Sequence, residues 1–429
     1  MALVDYEKDL IRCEKCSHCK YVWPGALAKS WRFWDICPSI SRYNFETYSA
    51  AGRMHAGLAL LRGYIDYTDE FLDIIYKCQM CGACDITCKV DRDIEPFESL
   101  LELRAKAVED GQLLPEHMMV IDGLKNEDNM LQKLKKDRGD WVQDLEVKDL
   151  TKERAEVCFH VGCRYSYDEE LWHTIHAAVE LLKRAGVDVG VFGKEENCCG
   201  GRAYEMGYQG EFVKYMESNI EAWKTAGANT VVTACSDCYA AFKATYSRYG
   251  NHVEVFHITE YLEKLIKEGK LKLTKKVPMT VTYHDPCHLG RLSERYLYSS
   301  PGKPYITEET KVLNQMYIYD PPKQWRRGED GVYEPPRNIL RDIPGLDFIE
   351  MERIRGLSWC CGSGGGAKEA YPEFALWTAN ERLDEADSTG AEALVTACPW
   401  CVRNFKDALN DTGRRMEIYD IVDIVQRAI

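Results

Sequence analysis

The chain has 429 residues, of which 45% are hydrophobic and 29% charged, an ordinary composition for a globular protein of two or three domains. The formal net charge of −14 argues against nucleic acid as a partner, because phosphate-binding surfaces are basic. The N-terminus lacks the basic and apolar regions of a signal peptide, and no apolar run approaches the ~18 residues of a membrane helix. We therefore expect a cytoplasmic protein without direct membrane insertion.

The first 110 residues carry two runs of cysteines, out of 19 in the chain, with spacings typical of metal ligands. The later run has the spacing of bacterial ferredoxins, in which three cysteines hold one cubane cluster and the fourth ligates the other. The earlier run has a gap of 17 residues before its last cysteine. Crossed ligation predicts two cubane [4Fe–4S] clusters, one held by Cys13, Cys16, Cys19 and Cys88, the other by Cys78, Cys81, Cys84 and Cys37. Two zinc sites are the alternative, but zinc sites usually use pairs of cysteines.

Apolar residues recur at helical spacing over residues 46–76, and residues 95–111 indicate a further helix. We therefore predict a helical, two-cluster ferredoxin-like domain over residues 1–110. Residues 111–155 are rich in charge and show few strand signals, which predicts a helical linker across the surface.

From residue 156 short buried strands alternate with amphipathic helices. Strands are predicted at 157–161, 187–192, 230–234, 279–283, 346–349 and 393–397, and helices at 169–185, 212–224 and 374–386. This order is typical of an α/β fold with parallel sheets, in which ligands lie beyond the carboxyl ends of the strands. A cysteine group follows each of the strands at 157–161, 187–192 and 230–234, so the carboxyl ends of these strands are the predicted site.

The cysteines of this region form an internal repeat of five. The first set is Cys163, Cys198, Cys199, Cys235 and Cys238; the second is Cys287, Cys360, Cys361, Cys398 and Cys401. The pair and the Cys-x2-Cys motif are separated by 35 residues in the first set and 36 in the second. Five thiols exceed the four ligands of a zinc site, whereas a cluster of several irons could use all five. We predict two pseudo-symmetric α/β half-domains, each with a Cys-Cys-Gly (CCG) motif, over residues 156–275 and 276–429.

An insertion near residues 300–336 interrupts the second half. It holds six prolines and the sequence Trp325-Arg326-Arg327, and we leave open whether it is a surface loop or a lid or docking arm. The glycines of residues 362–366 are expected to let the backbone approach a bulky cofactor. Cys158 belongs to neither set and is predicted to be a core thiol.

The repeated Cys, Cys-Cys-Gly, Cys-x2-Cys pattern behind a two-cluster module resembles the catalytic subunits of heterodisulfide reductases. It is most similar to the fused D-type form, which is equivalent to the C-type and B-type forms joined. Residues 283–291, Tyr-His-Asp-Pro-Cys-His-Leu-Gly-Arg, and residues 360–366 carry the most specific part of the resemblance. It covers nearly the whole chain apart from the insertion.

The resemblance implies that each complete set of five cysteines holds a non-cubane [4Fe–4S] cluster. It further implies an iron–sulfur oxidoreductase subunit that passes electrons from the two cubanes to the paired non-cubane clusters, which cleave a disulfide by binding one sulfur each. The predicted catalytic residues are Cys199, Cys361, His288, Arg291 and Lys368. We expect a pocket between the halves, lined by some of Arg202, His288, Arg291 and Lys368, that would hold an anionic substrate; structural hydrogen bonds are the alternative role of each.

The chain has no convincing flavin or nicotinamide site. The expected partner is therefore a flavoprotein of the heterodisulfide reductase A kind, or another electron-transfer protein, in a hetero-oligomeric complex. One rival function is a relay with no substrate of its own, as in heterodisulfide-reductase-like components of anaerobic assemblies such as the benzoyl-CoA reductase complex. The second rival is a structural zinc protein.

Overall fold

Helices form the N-terminal part of the protein. A computed structural model describes residues 1–22, 28–91, 94–143, 145–250, 254–294, 303–305, 318–320 and 327–429. The helices are α1 (Glu7–Arg12), α2 (Pro38–Tyr43), α3 (Ala50–Leu61), α4 (Asp69–Tyr76), α5 (Ala83–Asp91), α6 (Pro96–Glu109) and α7 (Pro115–Glu127). No helix in these ranges is long and apolar enough to cross a bilayer.

The apolar pattern of residues 46–76 forms two helices, α3 and α4, rather than one. Ser49 caps the first by accepting a hydrogen bond from the backbone N–H of Gly52, and Thr68 caps the second by accepting from Phe71. Between them Gly63 has a positive φ of 68°, which ends α3. Each helix buries one side of its surface against α6, in the core beside the N-terminal cysteines.

The predicted linker is helical only in part. Helix α7 is followed by a 3₁₀ helix at Lys135–Val142 and then by a short strand, β1 (Lys148–Asp149). This strand pairs with the first sheet through Lys148 and Gly190. The prediction missed it because two residues are too few to show an alternating pattern.

The first α/β half contains a parallel sheet in the order β1-β3-β2-β4-β5. Its further strands are β2 (Val157–His160), β3 (Val189–Val191), β4 (Thr230–Thr233) and β5 (Glu254–His257). The helices are α8 (Cys163–Tyr167), α9 (Trp172–Arg184), α10 (Gly201–Glu205), α11 (Gln209–Thr225), α12 (Ser236–Ala240) and α13 (Ile258–Lys267). Strands β2, β3 and β4 are buried throughout, which agrees with their continuous apolar sequence.

The second half contains a parallel sheet in the order β11-β10-β6-β9. Its strands are β6 (Met279–Tyr283), β9 (Leu346–Ile349), β10 (Ala393–Thr396) and β11 (Glu417–Asp420), with a separate antiparallel pair β7 (Lys303–Tyr305) and β8 (Ile318–Asp320). The helices are α14 (Glu334–Asp342), α15 (Ala367–Ala370), α16 (Pro372–Asp387), α17 (Pro399–Thr412) and α18 (Ile421–Ala428).

The two sheets have the same strand order once β1 is set aside. β3-β2-β4-β5 of the first half corresponds to β9-β6-β10-β11 of the second. The α/β repeat read from the cysteine spacing is therefore confirmed at the level of topology. The prediction missed β5 and β11, which lie at the sheet edges and alternate in burial.

The insertion near 300–336 is described only in part. Trp325 and Arg326 lie outside the described residues, so the choice between a surface loop and a lid stays open for them. Arg327 is buried, with its guanidinium 3.0 Å from Asp85 and paired with Glu98. The C-terminal end of the insertion is thereby held against helices α5 and α6.

Arg104 on α6 joins all three parts of the molecule. Its fully buried guanidinium donates to the carbonyl oxygens of Cys78 (2.8 Å), Glu205 (3.0 Å) and Gly365 (2.6 Å). These carbonyls belong to the ferredoxin-like region, the first half and the second half, respectively. One planar side chain with several N–H donors can satisfy them together, which a lysine could not do.

We predict that Arg104→Ala strongly destabilises the protein. The substitution leaves several buried carbonyl oxygens without a donor, and each such group costs about 1–3 kcal/mol, so the total loss should exceed about 3 kcal/mol. The measurement is the urea midpoint of the anaerobically prepared protein, followed by circular dichroism. Arg62→Ala is the control, because Arg62 is half-exposed and makes a surface ion pair with Glu7; its effect should stay within about 0.5 kcal/mol. Equal midpoints for the two variants would contradict the assignment.

Candidate metal centres

The eight N-terminal cysteines line two separate cavities. Cys13, Cys16, Cys19 and Cys88 line the first. Cys37, Cys78, Cys81 and Cys84 line the second. The structure therefore brings together the two groups that crossed ligation requires, although each group combines cysteines from distant parts of the sequence.

The first set of five thiols gathers beyond the carboxyl ends of β2, β3 and β4. Cys163 interacts with Cys198, which interacts with Cys199, and Cys238 lies between Cys199 and Cys235. All five are buried. The chain of contacts runs through the whole set, so the sequence motif corresponds to one compact group of sulfur atoms.

The second set repeats this arrangement beyond β6, β9 and β10. Cys287 interacts with Cys360, Cys360 with Cys361, and Cys401 with both Cys361 and Cys398. The pairs are also alike in detail. The N–H of Gly200 donates to the sulfur of Cys198 over 3.4 Å, and the equivalent Gly362 N–H donates to Cys360 over 3.3 Å.

The two sets touch each other and one touches the N-terminal region. Cys235 interacts directly with Cys398 across the junction of the halves. Ser236 donates to the carbonyl of Ala397 over 2.6 Å at the same junction. On its other side the second set meets the second N-terminal group, because Cys81 interacts with Cys360. The order in space is therefore second N-terminal group, second set and first set. Ala50 lines both N-terminal cavities, so the first N-terminal group lies beside the second.

The donors fit iron–sulfur clusters. All 19 cysteines are free thiols, although many lie side by side. Thiolates crowded in this number select soft metals and iron–sulfur clusters. Gly162 leaves room for such a group, since a Cβ there would stand 2.8 Å from the sulfur of Cys238. Its φ of 81° also favours glycine.

Arg138 faces the first set from the predicted linker. Its Nη2 lies 3.7 Å from the sulfur of Cys163 and 3.0 Å from Glu196, and the side chain is fully buried. Burial by itself would lower the pKa of Arg138, but the Cys163 thiol and Glu196 raise it above its ordinary value. No sequence signal marks this residue, because it lies far from the cysteine motifs and its charge-rich segment predicts a solvated surface.

His288 belongs to a buried ionic network between the halves. Its Nε2 pairs with Glu205, its Nδ1 lies 3.2 Å from Asp237, and Arg202 reaches Asp237 over 3.0 Å. Burial by itself would lower the pKa of His288, but the two carboxylates and the Cys287 thiol raise it well above the ordinary value. Asp237 could have been found from sequence, since it lies inside the Cys-x2-Cys loop; Glu205 had no such signal.

The other predicted substrate residues are engaged by the protein itself. Arg291 donates to the carbonyl oxygens of Cys81 (2.9 Å) and Ser358 (2.6 Å), so it joins the ferredoxin-like region to the second half. Lys368 donates to Asn404 and Asp407, each over 2.6 Å.

Of the four residues expected to line a pocket, His288 lines a cavity that Arg202, Arg291 and Lys368 do not line. The cavity has a volume of about 40 Å³. Helix α6 and Arg327 form part of its wall, so it is not enclosed by the two halves alone.

Comparison with known proteins identifies both types of domain. A 4Fe-4S dicluster domain matches residues 9–91, and a cysteine-rich domain matches twice, at 157–243 and 317–406. The second match begins after Cys287, which the insertion separates from the rest of its set.

Similar proteins include two that are named as the D component of dihydromethanophenazine:CoB–CoM heterodisulfide reductase. The protein from Methanosarcina acetivorans is 29% identical over 98% of this chain and 94% of its own length. That from Methanosarcina mazei is 31% identical over 84% and 79%, respectively. The EtfAB:quinone oxidoreductase of Syntrophomonas wolfei is 27% identical over 83% of this chain and 47% of its own length. The chain thus belongs to the D-type heterodisulfide reductase family of iron–sulfur oxidoreductase subunits.

Proposed function

We propose that this protein passes electrons from two N-terminal cubane [4Fe–4S] clusters to a pair of non-cubane [4Fe–4S] clusters, and there reduces a disulfide. The observation that carries the proposal is the contact between Cys235 and Cys398, which joins the two sets of five thiols. A disulfide that is cleaved by two centres must reach both at once. Two sets of thiols that contact each other at one junction satisfy this requirement, whereas two independent zinc sites would not require such a contact.

The cysteines named above would hold the clusters in the same groups. The two N-terminal groups of four cysteines would hold the cubanes, and the two sets of five would hold the non-cubane clusters. Such clusters accept and release single electrons. The contact between Cys81 and Cys360 supports a route in which electrons reach the second set before the first.

Buried cations would offset the charge of the thiolates. Arg138 faces Cys163, while Arg291 and His288 stand beside Cys287. A buried anion is costly unless an opposite charge or a hydrogen-bond donor compensates it. These residues therefore stabilise the ligand thiolates of each set, and they raise the potential at which a cluster accepts an electron.

The proposed partner is an electron-delivering protein, a flavoprotein of the heterodisulfide reductase A kind, in a hetero-oligomeric complex. The relatives named as components of a reductase support the complex. Electrons would enter at the group of Cys13, Cys16, Cys19 and Cys88, which lies beside the second N-terminal group.

A relay without its own substrate is the second candidate. The cavity beside His288 has a volume of about 40 Å³, which is room for about three water molecules. A disulfide with two organic substituents does not fit this space as it stands. The small cavity favours a relay, in which the junction of the two sets serves only to shorten the distance between clusters.

The cluster assignment predicts about 16 irons per chain and essentially no zinc, from four clusters of four irons. Gly162→Ala should lose about four of these irons, because its Cβ would stand 2.8 Å from the sulfur of Cys238. Gly186→Ala is the matched control: Gly186 has a similar φ of 77°, and a Cβ there meets no atom within 4 Å. Iron, sulfide and zinc analysis after anaerobic purification is the measurement. Stoichiometric zinc with about eight irons would refute the proposal.

The disulfide reductase activity predicts thiol release when the reduced protein is offered a heterodisulfide. Cys361→Ala should abolish turnover, because it removes a ligand at the centre of the second set. Cys158→Ala should retain it, since Cys158 is an equally buried thiol that belongs to neither set. Released thiol is measured against a thiol-reactive dye under anaerobic conditions. Absence of turnover with every disulfide, together with normal electron transfer to a partner protein, would favour the relay.

A further inference from the structure

His284 lies beside the second set of thiols, although it is not one of the five cysteines. A ring nitrogen of His284 and the sulfurs of Cys361 and Cys401 all lie within 4.8 Å of one another. The side chain is 1% exposed and packs edge-on against Phe405. Water therefore cannot satisfy the imidazole, and its ring nitrogens depend on neighbouring groups of the protein.

The two ring nitrogens of His284 have different surroundings. Nδ1 accepts a hydrogen bond from the Nε–H of Arg382 over 3.2 Å. Arg382 is itself held by Glu385 and by the carbonyl of Arg353. Nε2 is buried and makes no hydrogen bond of ordinary geometry to the described residues, although the imidazole interacts with the Cys361 thiol. A buried N–H without a well-formed hydrogen bond is costly, so this atom is placed to donate to a sulfur acceptor at the second set.

The bond from Arg382 decides the tautomer. A guanidinium is always protonated and can only donate, so the nitrogen that accepts from it carries no proton. The proton of a neutral imidazole then lies on Nε2. A protonated nitrogen has no lone pair for iron, which excludes His284 as a metal ligand in this arrangement and makes it a hydrogen-bond donor towards the sulfurs.

The equivalent residue of the first half, His160, is not placed to donate a hydrogen bond to the thiols of its set. His160 also precedes the first cysteine of its set by three residues, and it pairs with Thr233 in the sheet. Its ring packs against Phe242 and Trp223. Its Nε2 lies 3.8 Å from Glu196, a carboxylate that His284 lacks, and neither nitrogen makes a hydrogen bond of ordinary geometry to the residues described. The group of close ligand atoms found at Cys361 and Cys401 has no counterpart that includes His160 in the described part of the chain.

We propose that His284 donates its Nε2–H to a sulfur of the cluster held by the second set, either the Cys361 thiolate or a neighbouring sulfide, and thereby raises the reduction potential of that cluster. This inference rests on the proposed cluster assignment. One-electron reduction adds a negative charge to the cluster, and an N–H directed at its sulfur stabilises the reduced state.

The test is a redox titration of the full-length, anaerobically reconstituted protein, followed by electron paramagnetic resonance. His284→Leu should shift one midpoint of the two non-cubane clusters to lower potential. His284→Gln should restore part of the shift, because its side-chain amide can place an N–H near the same position. His160→Leu is the matched control and should leave that midpoint unchanged. Iron content is measured for every variant, to confirm that the clusters are present.

Pulsed electron paramagnetic resonance supplies a second measurement on the unaltered protein. A weak nitrogen coupling from a hydrogen-bonded imidazole should appear in the signal of the second-set cluster, disappear in His284→Leu and persist in His160→Leu. If His284→Leu fails to hold its clusters, this coupling and the His284→Gln titration decide the question.

Two outcomes would overturn the inference alone. One is a full iron complement with an unchanged midpoint and coupling in His284→Leu. The other is a strong nitrogen coupling, which would mean that His284 binds iron directly. An unaltered protein with only about eight irons would instead overturn the cluster assignment, and the inference with it.

Discussion

The arrangement of the thiol groups depends on one buried cation. Arg104 binds carbonyl oxygens of Cys78, Glu205 and Gly365, which belong to three parts of the chain that are far apart in sequence. Burial lowers its pKa, and the nearby Cys78 thiol and Tyr76 hydroxyl oppose this shift. Because the guanidinium holds all three parts at once, the loop that carries Cys78 and Cys81 cannot move away from the second half. The contact between Cys81 and Cys360 follows from this constraint together with Arg291, which binds the carbonyl oxygens of Cys81 and Ser358.

Buried arginine is a general feature of the molecule, and these side chains compensate buried thiols, carboxylates and carbonyl oxygens. The largest fully buried side chains include six arginines: Arg53, Arg104, Arg138, Arg291, Arg337 and Arg382. A protein that gathers many thiols in its interior must supply positive charge or N–H donors near them. Some of these arginines face a thiol, as Arg138 does. Others bind carbonyl oxygens that would otherwise lack a donor, as Arg291 does at Ser358.

The two α/β halves share one topology but differ where they meet the rest of the protein. The second of the two residues between the cysteines of the Cys-x2-Cys loop is Asp237 in the first half and Trp400 in the second. Asp237 takes part in the network of His288 and Arg202, which crosses from one half to the other. The second half contacts the loop of Cys81 through Cys360 and Arg291. Its site therefore lies between two others, while the site of the first half lies at the end of the series.

Local sequence determined the helices, the buried strands and the grouping of the cysteines, because each of these features repeats with a short period or a fixed spacing. The crossed groups of Cys13 with Cys88 and of Cys37 with Cys78 follow from spacing alone, and the structure brings the same residues together. The edge strands β1, β5 and β11 escaped prediction, since β1 has two residues and β5 and β11 bury only two of their four, so none shows a continuous apolar run. The sequence could not assign their pairing, which depends on neighbours distant in the chain.

Only the tertiary structure decided which side chains stand beside the thiols. Arg138, Glu205 and Arg104 lie far in sequence from the groups that they bind, so no motif marks them. The glycines after Cys361 were expected to make room for a cofactor. Gly364 and Gly365 instead pack closely against the backbone of Gln79, since a Cβ at either position would collide with it. Residue types and spacing therefore determined what kind of group this protein can hold, whereas long-range packing decided how the sites are ordered and how each one differs from its repeat.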